Sequence, residues 1–361
     1  MLFRSITLRS LEDMKYSVFS SIITLPILTH KLEAFSTYRQ RTVMAPSSHF
    51  VSPSTLKDDF VSVEESIAAF NAHAQEDSDD TRPKLVFVDG SWYVNKDRSS
   101  RKEYEAGPRI AGATYFDIDD VSSKGPLLNP KNLPHMMPPK HIFASVMDAL
   151  GISNHDSIVV YGKEGCLFST RAWYTFREMG HSPEKVHLMQ GTLQDWIDQG
   201  GKVDCKHVLA VKVDDLDLNQ PTEYHSIDST SMVNMDMVRS IVSGQSNGII
   251  LDARSEGRFK GTAPEPRPGL RGGRMPNSIN VPATDLLDGA KYLPVEQLKA
   301  VFEKAGISTE ASQKIICSCG SGVTACVIAA ALQKCGRDPK HTYIFDGSWI
   351  EWASDLSNPV E

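Results

Sequence analysis

Short runs of aliphatic and β-branched residues alternate along the chain with longer segments of helical periodicity. The clearest runs are 85–89, 157–161, 249–252 and 314–318, which are apolar over most of their length. Continuously apolar strands are typical of parallel sheets that are covered by helices on both faces. The pattern therefore predicts an α/β fold in which strands and helices alternate.

The chain repeats one succession of elements at a spacing of about 156 residues, which indicates two structural copies. Gly180 and Gly336 follow corresponding helices, at positions where glycine often ends a helix. We therefore predict two tandem domains, each a parallel sheet with helices on both faces. Four landmarks recur in the same order: 85–89 as 249–252, 149–153 as 304–308, 157–161 as 314–318, and 191–196 as 347–352.

The repeat sets the expected domain boundaries. The first domain is predicted to span residues 48–203 and the second 231–361, with a polar linker at 204–230 between them. The stretch 64–83 is acidic, alanine-rich and partly helical in pattern, and we expect it to be an insertion in the first copy.

Residues 1–47 are rich in serine, threonine, leucine and arginine, and their basic residues outnumber their acidic ones. This composition resembles an organellar targeting peptide. We expect a mitochondrial targeting extension without a stable fold of its own. Two alternatives stay open: a plastid address that begins at Met14, and a cytosolic form that begins at Met44.

The composition limits the classes of partner. The formal net charge of −7 argues against nucleic acid or an anionic membrane as the main partner. It does not exclude an anionic small substrate, because a local group of arginines can oppose the net charge. No stretch is long and apolar enough to span a bilayer. With 361 residues, of which 40% are hydrophobic, two domains can each bury a core.

The chain has six cysteines, and they follow no regular spacing. In a chain of this length a disulfide framework is not expected, and the absence of a CxxC pair argues against a zinc site. We expect a reducing compartment and one reactive thiol. Cys317, Cys326 and Cys335 are interpreted as packing residues, with a redox role of Cys326 beside Cys319 as the alternative.

The most informative segment follows the apolar strand 314–318. It begins with Cys319, contains Gly320 and Gly322, and runs into a helix that we expect to start near Val323. Glycines allow a tight turn whose N–H groups point inward and bind an anion, and the helix adds its positive end. A thiolate or persulfide on Cys319 would be stabilised and accessible there. No metal or organic cofactor is needed for such a site.

The sequence CGSGVTAC at 319–326 resembles the active loop of the tandem rhodanese-domain sulfurtransferases, in particular that of the 3-mercaptopyruvate sulfurtransferases. The segments DARSEGRF at 252–259, GTAPEPR at 261–267 and FDGSWIEW at 345–352 fit the same family. The resemblance extends over nearly the whole chain from about residue 50 onward.

The resemblance implies specific roles for residues of the second domain. Arg258 and Arg267 are expected to bind the carboxylate and keto oxygen of the donor, since guanidinium groups bind carboxylates in a bidentate manner. Arg254 is expected to pair within its own domain. Ser321 is implied as a proton relay or as a group that tunes the bound sulfur. The other residues expected to contact the substrate are those of the loop itself: Gly320, Gly322, Val323 and Thr324.

The loop has no cationic side chain to favour the thiosulfate dianion, so 3-mercaptopyruvate is the expected sulfur donor. A Cys319 persulfide would then pass its sulfur to a small thiol, thioredoxin or cyanide. Three alternatives stay open: a thiosulfate:cyanide sulfurtransferase, a phosphatase of a related fold, and a non-catalytic module that carries a persulfide.

The sequence departs from the family pattern in two respects. Arg109 and Arg274 stand where the family usually has a histidine, so a histidine relay from the first domain is not expected. Gly162 aligns with Cys319, and Cys166 falls four residues later, so the first domain is expected to support the cleft without catalysing. We interpret three tryptophans as core or interface aromatics: Trp92, Trp173 and Trp196.

Overall fold

The computed structural model describes residues 56–75, 83–94, 97–166 and 168–361. The predicted targeting extension, residues 1–47, lies outside the described residues. The first half of the described chain alternates short strands with helices, as its apolar pattern predicts. Its strands are β1 (Phe60–Ser62), β2 (Leu85–Asp89), β3 (Arg109–Ile110), β4 (Thr114–Tyr115), β5 (Ser157–Gly162), β6 (Val186–Thr192) and β7 (Val203–Asp204). Its helices are α1 (Val63–His73), α2 (Ser100–Ala106), α3 (Ile118–Val121), α4 (Gly125–Leu128), α5 (Lys140–Ala149), α6 (Ser169–Glu178) and α7 (Leu193–Asp198).

Five of these strands form one parallel sheet in the order β1-β6-β5-β2-β4. The central strand β5 is buried at every position, which explains its continuously apolar sequence. The short strands β3 and β7 form a separate antiparallel pair. The main-chain oxygens of Ala210 and Val211, in the predicted linker, accept hydrogen bonds from Arg101 of the first domain. Together with the pairing of β7 with β3, these contacts show that the predicted linker packs on the first domain.

The second half has the same organisation. Its strands are β8 (Met232–Val233), β9 (Ile249–Asp252), β10 (Ile279–Asn280), β11 (Leu287–Asp288), β12 (Lys291–Tyr292), β13 (Ile315–Ser318) and β14 (Thr342–Phe345). Its helices are α8 (Met235–Val242), α9 (Glu256–Phe259), α10 (Val295–Lys304), α11 (Ala325–Lys334) and α12 (Ser348–Ser354).

The second parallel sheet has the order β10-β9-β13-β14-β8. It matches the first sheet strand for strand, because β8, β14, β13, β9 and β10 take the places of β1, β6, β5, β2 and β4. The prediction of two tandem α/β domains, each built on a parallel sheet, is therefore confirmed. The boundaries 48–203 and 231–361 stay predictions.

The expectation that 64–83 is an insertion was wrong for most of that stretch. Ser62 and Glu65 cap α1 reciprocally, so the helix begins directly after β1. In the second domain α8 follows β8 in the same way, with Asn234 as the N-cap. The unit β1-α1-β2 therefore corresponds to β8-α8-β9. The repeat was hard to see in the sequence here because β1 and β8 are only three and two residues long.

The two domains share one continuous apolar core in which α6 and α11 pack against each other. Trp173 on α6 and Tyr292 of the second domain both contact the ring of Phe60. The hydroxyl group of Tyr292 also lies 3.2 Å from that of Thr170. None of the described helices has the length and hydropathy needed to cross a membrane.

Candidate active site

The segment 319–324, here called the Cys319 loop, connects the end of β13 to the start of α11. Ligands of open α/β sheets bind beyond the carboxyl ends of the strands, and the loop lies at such an end. The helix begins at Ala325 rather than near Val323, because Val323 and Thr324 form a turn. The loop thus occupies the position that the sequence predicted for the reactive thiol.

The first turn of α12 holds the first half of the loop. The carbonyl oxygen of Cys319 accepts a hydrogen bond from the N–H of Trp349 at 3.0 Å, and that of Gly320 accepts from Ile350 at 3.0 Å. The N–H of Cys319 donates to Oγ of Ser348 at 3.1 Å. Because a helix has unpaired N–H groups in its first turn, α12 can anchor these carbonyls.

An arginine of the first domain holds the second half of the loop. Arg171 on α6 donates through Nη1 to the carbonyl oxygen of Gly322 at 3.1 Å. Gly322 has a φ of +79°, and a Cβ there would lie 2.6 Å from the carbonyl oxygen of Asp346. Both the backbone conformation and the close approach require glycine, which explains the second glycine of the motif.

Beyond Cys319, the N–H groups of the loop have no acceptor among the residues that the structure describes. Within the described chain, those of residues 320–324 donate to no acceptor. In a trans peptide the N–H points away from the carbonyl of the same peptide unit. The three anchored carbonyls therefore turn the N–H groups of Gly320, Ser321 and Val323 to the opposite side of the loop. Such a row of free donors is what an anion-binding loop requires.

The sulfur of Cys319 is less accessible than expected, because the residue is only 2% exposed. Two arginine side chains lie close by. Nη2 of Arg258 is 3.0 Å from the position of a Cβ on Gly320, and the charge of Arg267 acts on Cys319. Arg258 and Arg267 are both partly exposed, so charged and movable groups form part of the surroundings of the loop.

Arg258 belongs to a network of alternating charges. Glu265 accepts hydrogen bonds from Nε and Nη2 of Arg258, at 3.2 and 2.6 Å, and from Nη1 of Arg254 at 2.8 Å. Arg254 also pairs with the buried Asp252 at 2.7 Å, so it binds within its own domain as expected. Two guanidinium groups and two carboxylates compensate one another, and the charge of Arg258 is largely balanced.

Arg267 is compensated differently. It forms no salt bridge with any residue in the described ranges, and its Nη2 lies 3.5 Å from Nε2 of His135. Burial and the neighbouring charge of Arg258 lower the pKa of Arg267. A partly buried cation without a carboxylate partner therefore lies beside the Cys319 loop and is available to an anionic ligand.

His135 of the first domain was not singled out from the sequence, yet it lies at this site. Its Nδ1 is 2.6 Å from Oδ1 of Asp119, whose other oxygen accepts a hydrogen bond from the indole N–H of Trp92 at 2.7 Å. The ring of His135 thus lies between the guanidinium group of Arg267 on its Nε2 side and the carboxylate of Asp119 on its Nδ1 side.

No local signal in the sequence marks this histidine. It lies in an irregular segment after α4, in no recognisable motif, and has a positive φ of 60°. Its main-chain oxygen accepts a hydrogen bond from Arg171 at 2.8 Å, which ties it to the residue that holds the Cys319 loop. The structure thus places beside Arg267 a first-domain histidine other than the one replaced by Arg109, and the expected absence of a histidine relay stays a prediction.

Cys166, Cys317 and Cys326 are buried thiols. Burial raises the pKa of Cys326 to about 12, although Arg171 partly opposes this, and it raises the pKa of Cys317 further. Both thiols are protonated near neutral pH, as expected for packing residues. Cys166 is buried, and its sulfur accepts the N–H groups of Trp92 and Phe168.

A family model described as a rhodanese-like domain matches the chain twice, over residues 74–199 and 236–355. The chain is 35% identical over 294 residues to a mitochondrial thiosulfate/3-mercaptopyruvate sulfurtransferase of Arabidopsis thaliana, which covers 77% of this chain and 74% of the relative. It is 36% identical over 281 residues to a probable 3-mercaptopyruvate sulfurtransferase of Schizosaccharomyces pombe, covering 75% of this chain and 87% of the relative. The chain belongs to the tandem rhodanese-domain sulfurtransferases.

The solved structures agree with this assignment. The crystal structure of SseA from Escherichia coli, described as a 3-mercaptopyruvate sulfotransferase with the rhodanese fold, superposes with a TM-score of 0.63. It shares 27% sequence identity and covers 81% of this sulfurtransferase and 98% of SseA. The predicted family and the predicted enzyme class are thus confirmed.

The first domain of the sulfurtransferase has the same fold but a glycine at the position that corresponds to Cys319. In the strand register, Asp89 lies opposite Tyr161 in the first sheet, as Asp252 lies opposite Ser318 in the second. The residues that follow Tyr161 and Ser318, which are Gly162 and Cys319, therefore occupy corresponding positions. Two arginines that replace family histidines are used elsewhere. Arg109 donates to the main-chain oxygens of Tyr104 and Lys206, and Arg274 pairs with Glu361. The first-domain residues that contact this region are His135, beside Arg267, and Arg171, which is bonded to Gly322.

Proposed function

We propose that this sulfurtransferase takes sulfur from 3-mercaptopyruvate, carries it as a persulfide on Cys319, and passes it to a thiol acceptor. The observation that carries the proposal is the position of Arg267, which has no carboxylate partner among the described residues, beside a loop whose N–H groups at 320–324 have no acceptor there either. A donor with one carboxylate matches one uncompensated positive charge. The names of the Arabidopsis and Schizosaccharomyces relatives support the same donor.

The donor binds through its carboxylate and its keto group. Arg267 provides the charge for the carboxylate, and Arg258, balanced by Glu265, provides further N–H donors toward the keto oxygen. This division follows from the charge network, because Arg258 attracts a second negative charge only weakly. It explains why a monoanionic α-keto acid suits the site better than the thiosulfate dianion, which we expect to be a slower donor.

The first chemical step forms the persulfide. The thiolate of Cys319 attacks the sulfur of the donor, the carbon–sulfur bond breaks, and its electron pair passes to the carbon as the enolate of pyruvate. The new sulfur stays bonded to Cys319 as a persulfide. The free N–H groups of Gly320, Ser321 and Val323 stabilise the sulfur anion, and the arginines stabilise the enolate oxygen.

Protonation of the enolate involves the first domain. Ser321 is buried within the loop, and its hydroxyl group has no hydrogen-bond partner among the described residues. His135 is oriented by Asp119 and presents Nε2 toward the same site. We assign Ser321 as the group that delivers a proton to the enolate and His135 as the base that exchanges it with solvent.

The second step transfers the sulfur. A thiolate attacks the outer sulfur of the persulfide, the sulfur–sulfur bond breaks, and Cys319 leaves as a thiolate again. Suitable acceptors are small thiols and thioredoxin, and cyanide can act by the same displacement. We also propose a mitochondrial location, supported by the basic segment 1–47 and by the name of the Arabidopsis relative.

Initial rates on two donors test the proposed function. The full chain is assayed for pyruvate release from 3-mercaptopyruvate with a small thiol, and for thiocyanate formation from thiosulfate with cyanide. We expect a higher kcat/KM for 3-mercaptopyruvate, loss of both activities in Cys319→Ser, and retention of both in Cys335→Ser. A higher kcat/KM for thiosulfate would refute the assignment of the donor, and turnover by Cys319→Ser would refute the mechanism.

A further inference from the structure

We infer that Arg171, a residue of the non-catalytic domain, is a positioning residue that sets the conformation of the Cys319 loop. The inference rests on the proposed role of Cys319 and adds a residue outside the loop motif and outside the donor-binding arginines. Arg171 lies on α6, and its target, the carbonyl of Gly322, belongs to the other domain. One domain would thus shape the catalytic loop of the other.

The contacts of Arg171 use both ends of its guanidinium group. Nη1 donates to the carbonyl oxygen of Gly322 at 3.1 Å and lies 4.0 Å from the sulfur of Cys326. Nη2 donates to Oδ1 of Asp346 and to the main-chain oxygen of His135, both at 2.8 Å. A single planar group thereby joins the loop, the strand end that precedes α12, and the segment that carries the histidine.

The contact with Gly322 determines the direction of a main-chain donor. The carbonyl of Gly322 and the N–H of Val323 belong to one trans peptide and point in opposite directions. While Arg171 holds the carbonyl, the N–H of Val323 is directed to the other side of the loop, where it has no acceptor among the described residues. Loss of Arg171 would allow this peptide to rotate and would remove a donor from the anion-binding row.

The arrangement is too buried to be an incidental surface pair. The side chain of Arg171 is 2% exposed and that of Asp346 is 7% exposed. The second oxygen of Asp346 accepts a hydrogen bond from the N–H of Met137 at 2.6 Å, so the carboxylate also spans the two domains. A buried charge must be paired and hydrogen-bonded to be tolerated, and each of these groups is.

The two domains differ at this position, although they share a fold. Helices α6 and α11 each have ten residues, and the third residue is Arg171 in one and Val327 in the other. Val327 is fully buried and apolar. The domain that lacks the nucleophile therefore carries the arginine, and the domain that has the nucleophile receives its hydrogen bond.

The test compares Arg171→Ala with Arg177→Ala in the full chain. Arg177 is a matched control, because its side chain also extends from α6 and forms an ion pair, in this case with Asp59. It donates to the main-chain oxygen of Pro183 rather than to the loop. We expect kcat for 3-mercaptopyruvate to fall about a hundredfold in Arg171→Ala, with KM changed less than about threefold, since misplacement of a catalytic group affects mainly kcat. Arg177→Ala is expected to keep the wild-type kcat per folded molecule.

Chemical rescue separates positioning from folding. Guanidinium ion, added far below denaturing concentrations, should restore part of the kcat of Arg171→Ala, whereas urea at the same concentration should not. A folded Arg171→Ala protein with wild-type kcat, or a loss shared equally by Arg177→Ala, would overturn the inference. If Arg171→Ala does not fold, Arg171→Lys replaces it in the test, because lysine keeps the charge but cannot make all these hydrogen bonds. A wild-type kcat in Arg171→Lys would overturn the inference, and a reduced kcat would support it.

Failure of this inference can be distinguished from failure of the proposed function. Turnover that survives in Cys319→Ser would refute the proposed function whatever Arg171 does. Normal turnover in Arg171→Ala together with none in Cys319→Ser would refute only the role of Arg171.

Discussion

Glu265 accepts two hydrogen bonds from Arg258, at Nε and Nη2, while Arg267 has no such carboxylate in the described part of the chain. The family resemblance implies both arginines as partners of the donor, but a neighbouring carboxylate balances the charge of only one of them. Arg267 presents a net positive charge, and Arg258 presents hydrogen-bond donors whose charge is already balanced. The proposed preference for a monoanionic donor rests on this difference.

Removing the balancing charge should change the donor preference. In Glu265→Gln, no carboxylate balances the positive charge of Arg258, so the dianion thiosulfate becomes a better ligand relative to 3-mercaptopyruvate. We expect the ratio of kcat/KM for thiosulfate to that for 3-mercaptopyruvate to rise about tenfold, equivalent to about 1.4 kcal/mol. Glu256→Gln is the control, because it removes the same charge from an exposed pair with Lys260. An unchanged ratio in Glu265→Gln would contradict this account of selectivity.

The unbalanced charge of Arg267 should matter mainly for donor binding. In Arg267→Met the carboxylate of the donor loses its cationic partner, which is worth about 1.5–3 kcal/mol for a hydrogen bond to a charged group. We expect KM for 3-mercaptopyruvate to rise at least about tenfold, in steady-state assays of pyruvate release. Arg274→Met, which removes a surface arginine paired with Glu361, should keep the wild-type KM. Equal KM values in the two variants would be evidence against the assigned role.

The two glycines of the Cys319 loop should respond differently to alanine. At Gly322 the positive φ and the 2.6 Å approach to a main-chain oxygen leave no room for a methyl group, so Gly322→Ala should destabilise the protein by at least about 1–2 kcal/mol. At Gly320 the nearest atom is the movable end of Arg258, so Gly320→Ala should fold normally and raise KM. Thermal unfolding and steady-state kinetics on both variants test this, and equal stability losses would contradict the loop geometry.

Acid should destabilise the first domain through a buried histidine. The ring nitrogens of His181 lie 3.0 Å from the hydroxyl group of Tyr224 and 2.9 Å from the main-chain oxygen of Asp156. Burial lowers the pKa of His181, although Asp156 partly opposes this. Below about pH 6.5 the unfolded chain therefore binds a proton that the folded chain resists, and stability falls as the pH falls.

The melting temperature measured between neutral and mildly acidic pH checks this prediction. His181→Gln should show a smaller decrease than the wild type across that range. His155→Gln, which changes an exposed histidine, should show the wild-type decrease. An unchanged pH dependence in His181→Gln would exclude this residue as a source of acid sensitivity.

Much of the fold could be predicted because the buried parallel strands are continuously apolar and the repeat presents them twice. The Cys319 loop could be predicted because its strand end, glycines and helix start are adjacent in sequence. The helix α1 was misinterpreted because the short strand β1 gives almost no signal. The burial of Cys319 could not be foreseen, since local sequence does not show which distant side chains cover a loop.

The contribution of the first domain to the site depends on contacts between residues far apart in the chain. His135 lies against Arg267, and Arg171 against Gly322, through the packing of two domains rather than through any motif. The family histidine pattern directed attention to Arg109, whose side chain is bound to main-chain oxygens of its own domain and the adjoining linker. Only the assembled structure shows that a different histidine, His135, lies beside Arg267.

Intact-mass spectrometry of the full chain, after incubation with 3-mercaptopyruvate and removal of the excess donor, tests the persulfide on Cys319 most directly. The account predicts that the wild type and Cys326→Ser each gain the mass of one sulfur atom, that Cys319→Ser gains none, and that a small thiol removes the added mass. A sulfur adduct on Cys319→Ser, or a wild type that releases pyruvate without ever gaining that mass, would contradict it.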